Sequence, residues 1–104
     1  MSEHPLKIFE KLDPQLLKLV KTTNDLALCE GALPRKFKIL IAMALDAGAG
    51  TVAGVRSLAQ AALAAGATRE EITETLRVAQ YLCGVVSVYT AAQALKGLFE
   101  QNLD

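Results

Sequence analysis

The chain has 104 residues, 11 basic and 11 acidic side chains, and no formal net charge. The length fits one domain, residues 1–104. The charge balance excludes nucleic-acid binding by phosphate neutralisation, which needs clustered positive charge. A hydrophobic fraction of 52% excludes disorder. Aromatics make up only 5%, Trp is absent, and 17 alanines carry the apolar excess. A small, neutral, apolar chain tends to associate with copies of itself.

Residues 1–13 form an N-terminal extension, mixed in charge and divided off by Pro5 and Pro14. It has no basic stretch followed by an apolar run, so it does not read as a secretory signal. A cytoplasmic location with free thiols is expected. Cys29 and Cys83 stand 54 residues apart and form no CxxC and no metal-ligand spacing. No metal and no cofactor are expected.

Asp13 before Pro14 reads as a helix start, with Asp as N-cap and Pro at the first helical position. Leu16, Leu19, Val20, Thr23 and Ala27 continue at helical spacing, giving a helix from 14 to about 29 with Gly31 as its stop. Leu33-Pro34 opens the next helix. Its run Ile39, Leu40, Ile41, Met43, Ala44 and Leu45 is apolar nearly all round, which places it centrally. Arg35, Lys36 and Lys38 in its first turn oppose the helix dipole and read as a solvated face.

Ala47-Gly48-Ala49-Gly50 reads as a chain break. Thr51 then caps a helix from Val52 to Ala65, which Gly66 ends. Thr68-Arg69-Glu70-Glu71 is a capping box opening a further helix, whose inner face is Ile72, Leu76 and Ala79. Gly84 interrupts the pattern and separates this helix from a last one, where Val88, Ala91, Ala92 and Leu95 keep the 3.6-residue spacing. No strand alternation persists anywhere. The result is an all-α domain of five or six helices. Val78 to Leu95 is 18 residues without a charge, long enough to span a bilayer. Its polar residues Gln80, Ser87, Thr90 and Gln93 and its basic flanks Arg77 and Lys96 favour a buried helix, and no membrane contact is expected.

The stretches Glu30 to Leu45 (EGALPRKFKILIAMAL), Leu63 to Ala79 (LAAGATREEITETLRVA) and Cys83 to Leu95 (CGVVSVYTAAQAL) resemble the carboxymuconolactone decarboxylase and alkylhydroperoxidase D-like family. The resemblance covers residues 24–97 and implies an all-helical core assembled as a homotrimer or homohexamer. Peroxidase members of that family carry Cys-x-x-Cys-x-x-x-His at the start of the helix before Gly-Ala-Thr, and a Glu one helix earlier. A helix start favours the thiolate, a second thiol one turn on closes the disulfide, and His with Glu relays the proton. Counted back from Gly66, the two cysteine positions fall on Thr51 and Gly54, and the histidine position on Leu58. The glutamate position falls on Ile39. None of the four side chains ionises, and there is no Cys or His between Cys29 and Cys83. Thiol peroxidase activity is therefore expected to be absent.

The remaining candidates have bland readings. His4 lies near a terminus. Cys29 and Cys83 read as small buried hydrophobes. Glu70, Glu71 and Glu74 complement a helix N-terminus. Tyr81 and Tyr89 share a face only if their helix is continuous, and core packing is expected for both. Three functions remain open. One is a non-redox member whose former site, lined by Ile39, Thr51, Gly54 and Leu58, binds an apolar small molecule or is packed shut. The others are a divergent enzyme of decarboxylase or lactone chemistry, or of residual peroxidase-type activity, using unrecognised residues, and a structural oligomer.

Overall fold

A computed structural model describes residues 4–99. A 3-10 turn (Pro5–Ile8) runs into α1 (Phe9–Leu12), followed by α2 (Pro14–Leu28), α3 (Arg35–Ala49), α4 (Val52–Ala64), α5 (Arg69–Cys83) and α6 (Val86–Phe99). No strand occurs among the described residues. The fold is all-α, as expected.

Local signals set most helix ends. The Asp13 carboxylate accepts from Leu16 N–H at 3.0 Å and starts α2. The Thr68 hydroxyl accepts from Glu71 N–H at 3.0 Å, while the Glu71 carboxylate accepts from Thr68 N–H at 2.9 Å. This reciprocal pair satisfies two otherwise orphaned donors at the start of α5. Gly66, at φ 98°, closes α4: its N–H donates to Leu63 C=O, and Ala67 N–H reaches back to Ala62 C=O at 2.8 Å. That is the Schellman arrangement, which needs the left-handed residue glycine supplies.

Two expected boundaries move. Gly48 does not break the chain; α3 runs through it to Ala49, and Gly50 alone, at φ 80°, ends the helix. Helix α2 ends at Leu28, where Cys29 turns extended, and Gly31 lies beyond it without a positive φ. Gly84 separates α5 from α6 as expected, and the Ser87 hydroxyl donates to its carbonyl at 2.7 Å. The uncharged stretch 78–95 is thereby split. Among the described residues no helix is long and apolar enough to cross a membrane.

Helices α3 to α6 form the core. Ile39, Leu40, Met43 and Ala47 of α3 meet Val55, Ala59 and Ala62 of α4, Ile72 of α5, and Ala91 and Ala94 of α6. Of the twelve buried hydrophobic residues among those described, seven are alanine. Small side chains let the helix axes approach closely, toward about 8 Å. The larger residues Ile39, Met43, Val55 and Ile72 contribute most of the burial, about 1.5–3 kcal/mol each.

The arm before α3 is different. No residue of the Pro5–Ile8 turn, α1 or α2 is buried. The radius of gyration is 14.8 Å, against about 13 Å for a spherical domain of this length. The arm stands off the core and touches it chiefly through Leu28.

Candidate functional site

The four family positions fall on α3 and on the start and middle of α4. Ile39 is 1% exposed, inside the α3 core stripe. Leu58 packs against that core from α4. Thr51 takes the N-cap position of α4 with extended backbone, but its side chain makes no capping hydrogen bond. Gly54 sits one turn into α4, and a Cβ there would overlap the Asp46 carboxylate and come within 3.1 Å of Thr51 Cγ2.

Asp46 therefore occupies the space beside the first turn of α4. That turn carries no acidic residue of its own, and a carboxylate beside a helix N-terminus is stabilised by its unpaired N–H groups and dipole. The same field would favour a thiolate at Thr51 or Gly54 if a cysteine stood there. Sequence spacing did not single out Asp46. It lies five residues before Thr51, and only the tight Gly50 turn, with Thr51 N–H bonded to Asp46 C=O at 3.0 Å, folds it back over α4.

A broad concavity lies elsewhere. A groove of about 630 Å³ opens between α3 and α5, walled by Phe37, Leu40, Ile41, Ala44 and Leu45 on one side and Thr75, Val78, Ala79 and Leu82 on the other. Glu71 and Glu74 border it toward the start of α5, and Cys83 toward the end. Helical spacing identified Leu40, Ile41, Ala44, Leu45 and Ala79 as apolar positions and the centrality of α3. It did not show that Ile41, Leu45, Val78 and Leu82 stay exposed along a shared trough.

At one end of this groove Lys36 Nζ pairs with Glu71 Oε2 at 3.1 Å and stands 4.9 Å from the centre of the Phe37 ring. The Thr68 backbone N–H first, and the Lys36 ammonium next, hold the Glu71 carboxyl below the ordinary glutamate range. Lys38 donates to Cys29 C=O at 2.6 Å. The basic first turn of α3 is thus not a plain solvated face: Lys36 ties α3 to α5, and Lys38 anchors the end of the arm. Arg56, also missed in sequence, donates from Nε to Ala94 C=O at 3.0 Å and from an Nη to Gln93 C=O at 3.1 Å, joining α4 to α6.

Two pairs of residue readings are corrected. Cys29 and Cys83 are exposed free thiols rather than buried hydrophobes, because each lies where a helix ends at the rim of the bundle. Tyr81 and Tyr89 are 81% and 71% exposed, and the Gly84 break places them on separate helices outside the core. His4 is an N-terminal cap, its Nδ1 accepting from Leu6 N–H at 3.1 Å. No group of three or more His, Cys, Asp or Glu suited to a metal occurs among the described residues.

A compact all-α unit of four core helices, with an α3–α4 turn beside a helix N-terminus, defines the class of protein. Residues 14–97 match the carboxymuconolactone decarboxylase family profile, and the chain belongs to that family. Its fold is similar to the crystal structure of the apo form of a carboxymuconolactone decarboxylase family protein from Legionella pneumophila. The two share 37% identity with a TM-score of 0.84, over 91% of this chain and 85% of that one. No relative matches among curated proteins. The family match begins at Pro14 and so takes in the whole of α2.

Proposed function

We propose that this chain is a non-redox member of the carboxymuconolactone decarboxylase family, working as a homo-oligomeric structural or binding protein, a homotrimer or homohexamer. The observation that carries this reading is the filled space at the family positions: Ile39 in the core, Leu58 packed, and the Asp46 carboxylate against Gly54. Thr51 offers only a hydroxyl, and no base stands in the sequence between Cys29 and Cys83 at a histidine position. Proton relay and thiol exchange both need ionisable groups held together.

Self-association is supported by sixteen large hydrophobic residues exposed among the described residues of the single chain. They fall on three faces: the arm, the α3–α5 groove, and the α5–α6 corner with Tyr81, Val85 and Tyr89. Monomeric proteins rarely leave so much apolar surface in contact with water. Binding of an apolar small molecule is a second reading, favoured by the volume of the groove.

Two measurements test the proposal. Peroxide reduction with a dithiol donor should stay at the buffer rate; clear turnover overturns the non-redox reading. Light scattering at micromolar concentration should give a multiple of 11.1 kDa; the monomer mass overturns the oligomer.

A further inference from the structure

We infer that the N-terminal arm of one copy lays the leucine face of α2 into the α3–α5 groove of a second copy. The inference rests on the oligomeric reading above and adds the surfaces that meet. Helix α2 has 15 residues, yet none is buried. An isolated helix of that length is marginal in water, and helices in proteins draw their stability from packing an amphipathic face. Here that face is present and uncovered. Leu16, Leu19 and Leu26 recur at helical spacing and are 42%, 61% and 77% exposed, while Lys21 and Asp25 lie on the other side and Lys18 on the flank.

The groove complements this face in size. Its volume is about 630 Å³, and a cavity vacated by one leucine side chain is about 150 Å³. About four leucine-sized groups would fill it, and the arm offers Leu12 as well as the three of α2. Lengths agree also: α2, α3 and α5 have 15 residues each, about 22 Å. Charge points the same way. Glu74 at the groove border and Lys18 and Lys21 on the arm make no ion pair among the described residues. With the leucine face seated, Lys18, about 100° round α2 from Leu19, stands on the flank and is the one residue of α2 placed to pair with Glu74, while Lys21 faces away.

The chain's own arm is held away from its own groove. Leu28 packs into the home core, Lys38 fixes Cys29, and the groove stands open with α2 outside it. A second copy is the occupant that this geometry leaves, in a helix-in-groove contact. Such a contact is head-to-tail and closes as a reciprocal pair or a ring.

Cys83 borders the groove and supplies the test. In a Cys29→Ser background, Leu16→Cys, Leu19→Cys and Leu26→Cys are made one at a time and oxidised mildly. Non-reducing gels should show covalent dimers or larger species for at least one arm position, and Cys83→Ser should abolish them. A fast-migrating covalent monomer, or cross-links that persist with Cys83→Ser, overturns the inference in favour of an intramolecular or an arm-to-arm contact. Leu19→Glu should lower the mass in light scattering while circular dichroism stays helical; an unchanged mass overturns the inference. If the unaltered chain is itself monomeric, the oligomeric reading fails. If it is oligomeric and no cross-link reaches Cys83, only the arm-to-groove contact fails.

Discussion

Gly48 of α3 packs directly against Cys83 at the end of α5. A Cβ on Gly48 would stand 2.6 Å from Cys83 Sγ and 3.3 Å from its Cβ. Glycine inside a helix ordinarily costs about 1 kcal/mol relative to alanine, and here the absent methyl makes room for the thiol. Gly48→Ala should therefore lose its helix-propensity gain and destabilise by about 1 kcal/mol. In a Cys83→Ala background the same substitution should be neutral or stabilising. Urea midpoints around this double-mutant cycle measure the coupling, expected at about 1–2 kcal/mol. Strict additivity would show that the two residues do not meet.

Glu71 makes stability depend on pH in acid. Its carboxyl titrates below the ordinary range because Thr68 N–H and then Lys36 stabilise the charged form. A pKa lowered by folding contributes stability that is complete above the unfolded value, about 4.3, and lost as pH falls through the folded one. The urea midpoint should fall below about pH 4.3. Glu71→Gln, which keeps an acceptor for Thr68 but no charge, should flatten that limb. Lys36→Met should give an intermediate slope. A limb unchanged in Glu71→Gln counts against this assignment.

Position 39 tests whether the family glutamate can simply be returned. Ile39 is 1% exposed among apolar neighbours. Ile39→Glu would bury a carboxylate without a partner, at a cost of about 3–5 kcal/mol. That is a large part of the 5–15 kcal/mol typical of a domain. The urea midpoint at pH 7 should drop sharply, and a midpoint close to the unaltered chain would mean that water or a cation reaches the site.

Arg56 should behave as a fork rather than a charge. Its two donors serve two successive carbonyls of α6, and lysine offers no such pair. Arg56→Lys should lose about 1 kcal/mol. Amide exchange should quicken at Gly97 and Leu98, whose N–H groups face the same carbonyls in the helix ladder.

What was legible in the sequence was local. Asp13 before Pro14, Gly66 after α4, and Thr68 with Glu71 each complete a hydrogen-bond pattern within a few residues, so their spacing alone identifies them. The inner stripe of α5 was legible for the same reason. Gly48 was not. Its surroundings look like a turn, and only the nearness of Cys83, 35 residues on, explains a glycine inside the helix. The partners of Lys36 and Arg56 likewise lie on other helices. For the cysteines and tyrosines, composition spoke for burial, but their places at helix ends and at the α5–α6 corner leave them in water. The α3–α5 groove escaped notice because an exposed apolar stripe and a buried one have the same period.

The meeting of Asp46 with Gly54 bears on how this sequence can change over evolutionary time. Any side chain at position 54 needs the space that the Asp46 carboxylate now fills, so a single replacement there forces that carboxylate to move. A smaller residue at position 46 meets no such overlap and gives up only the carboxylate beside the α4 N-terminus. The accessible path runs through position 46 first, and lineages carrying a larger residue at 54 should already have a smaller or uncharged one at 46. The two positions are then linked in descent as they are in space, and a substitution history read in the opposite order would contradict the packing seen here.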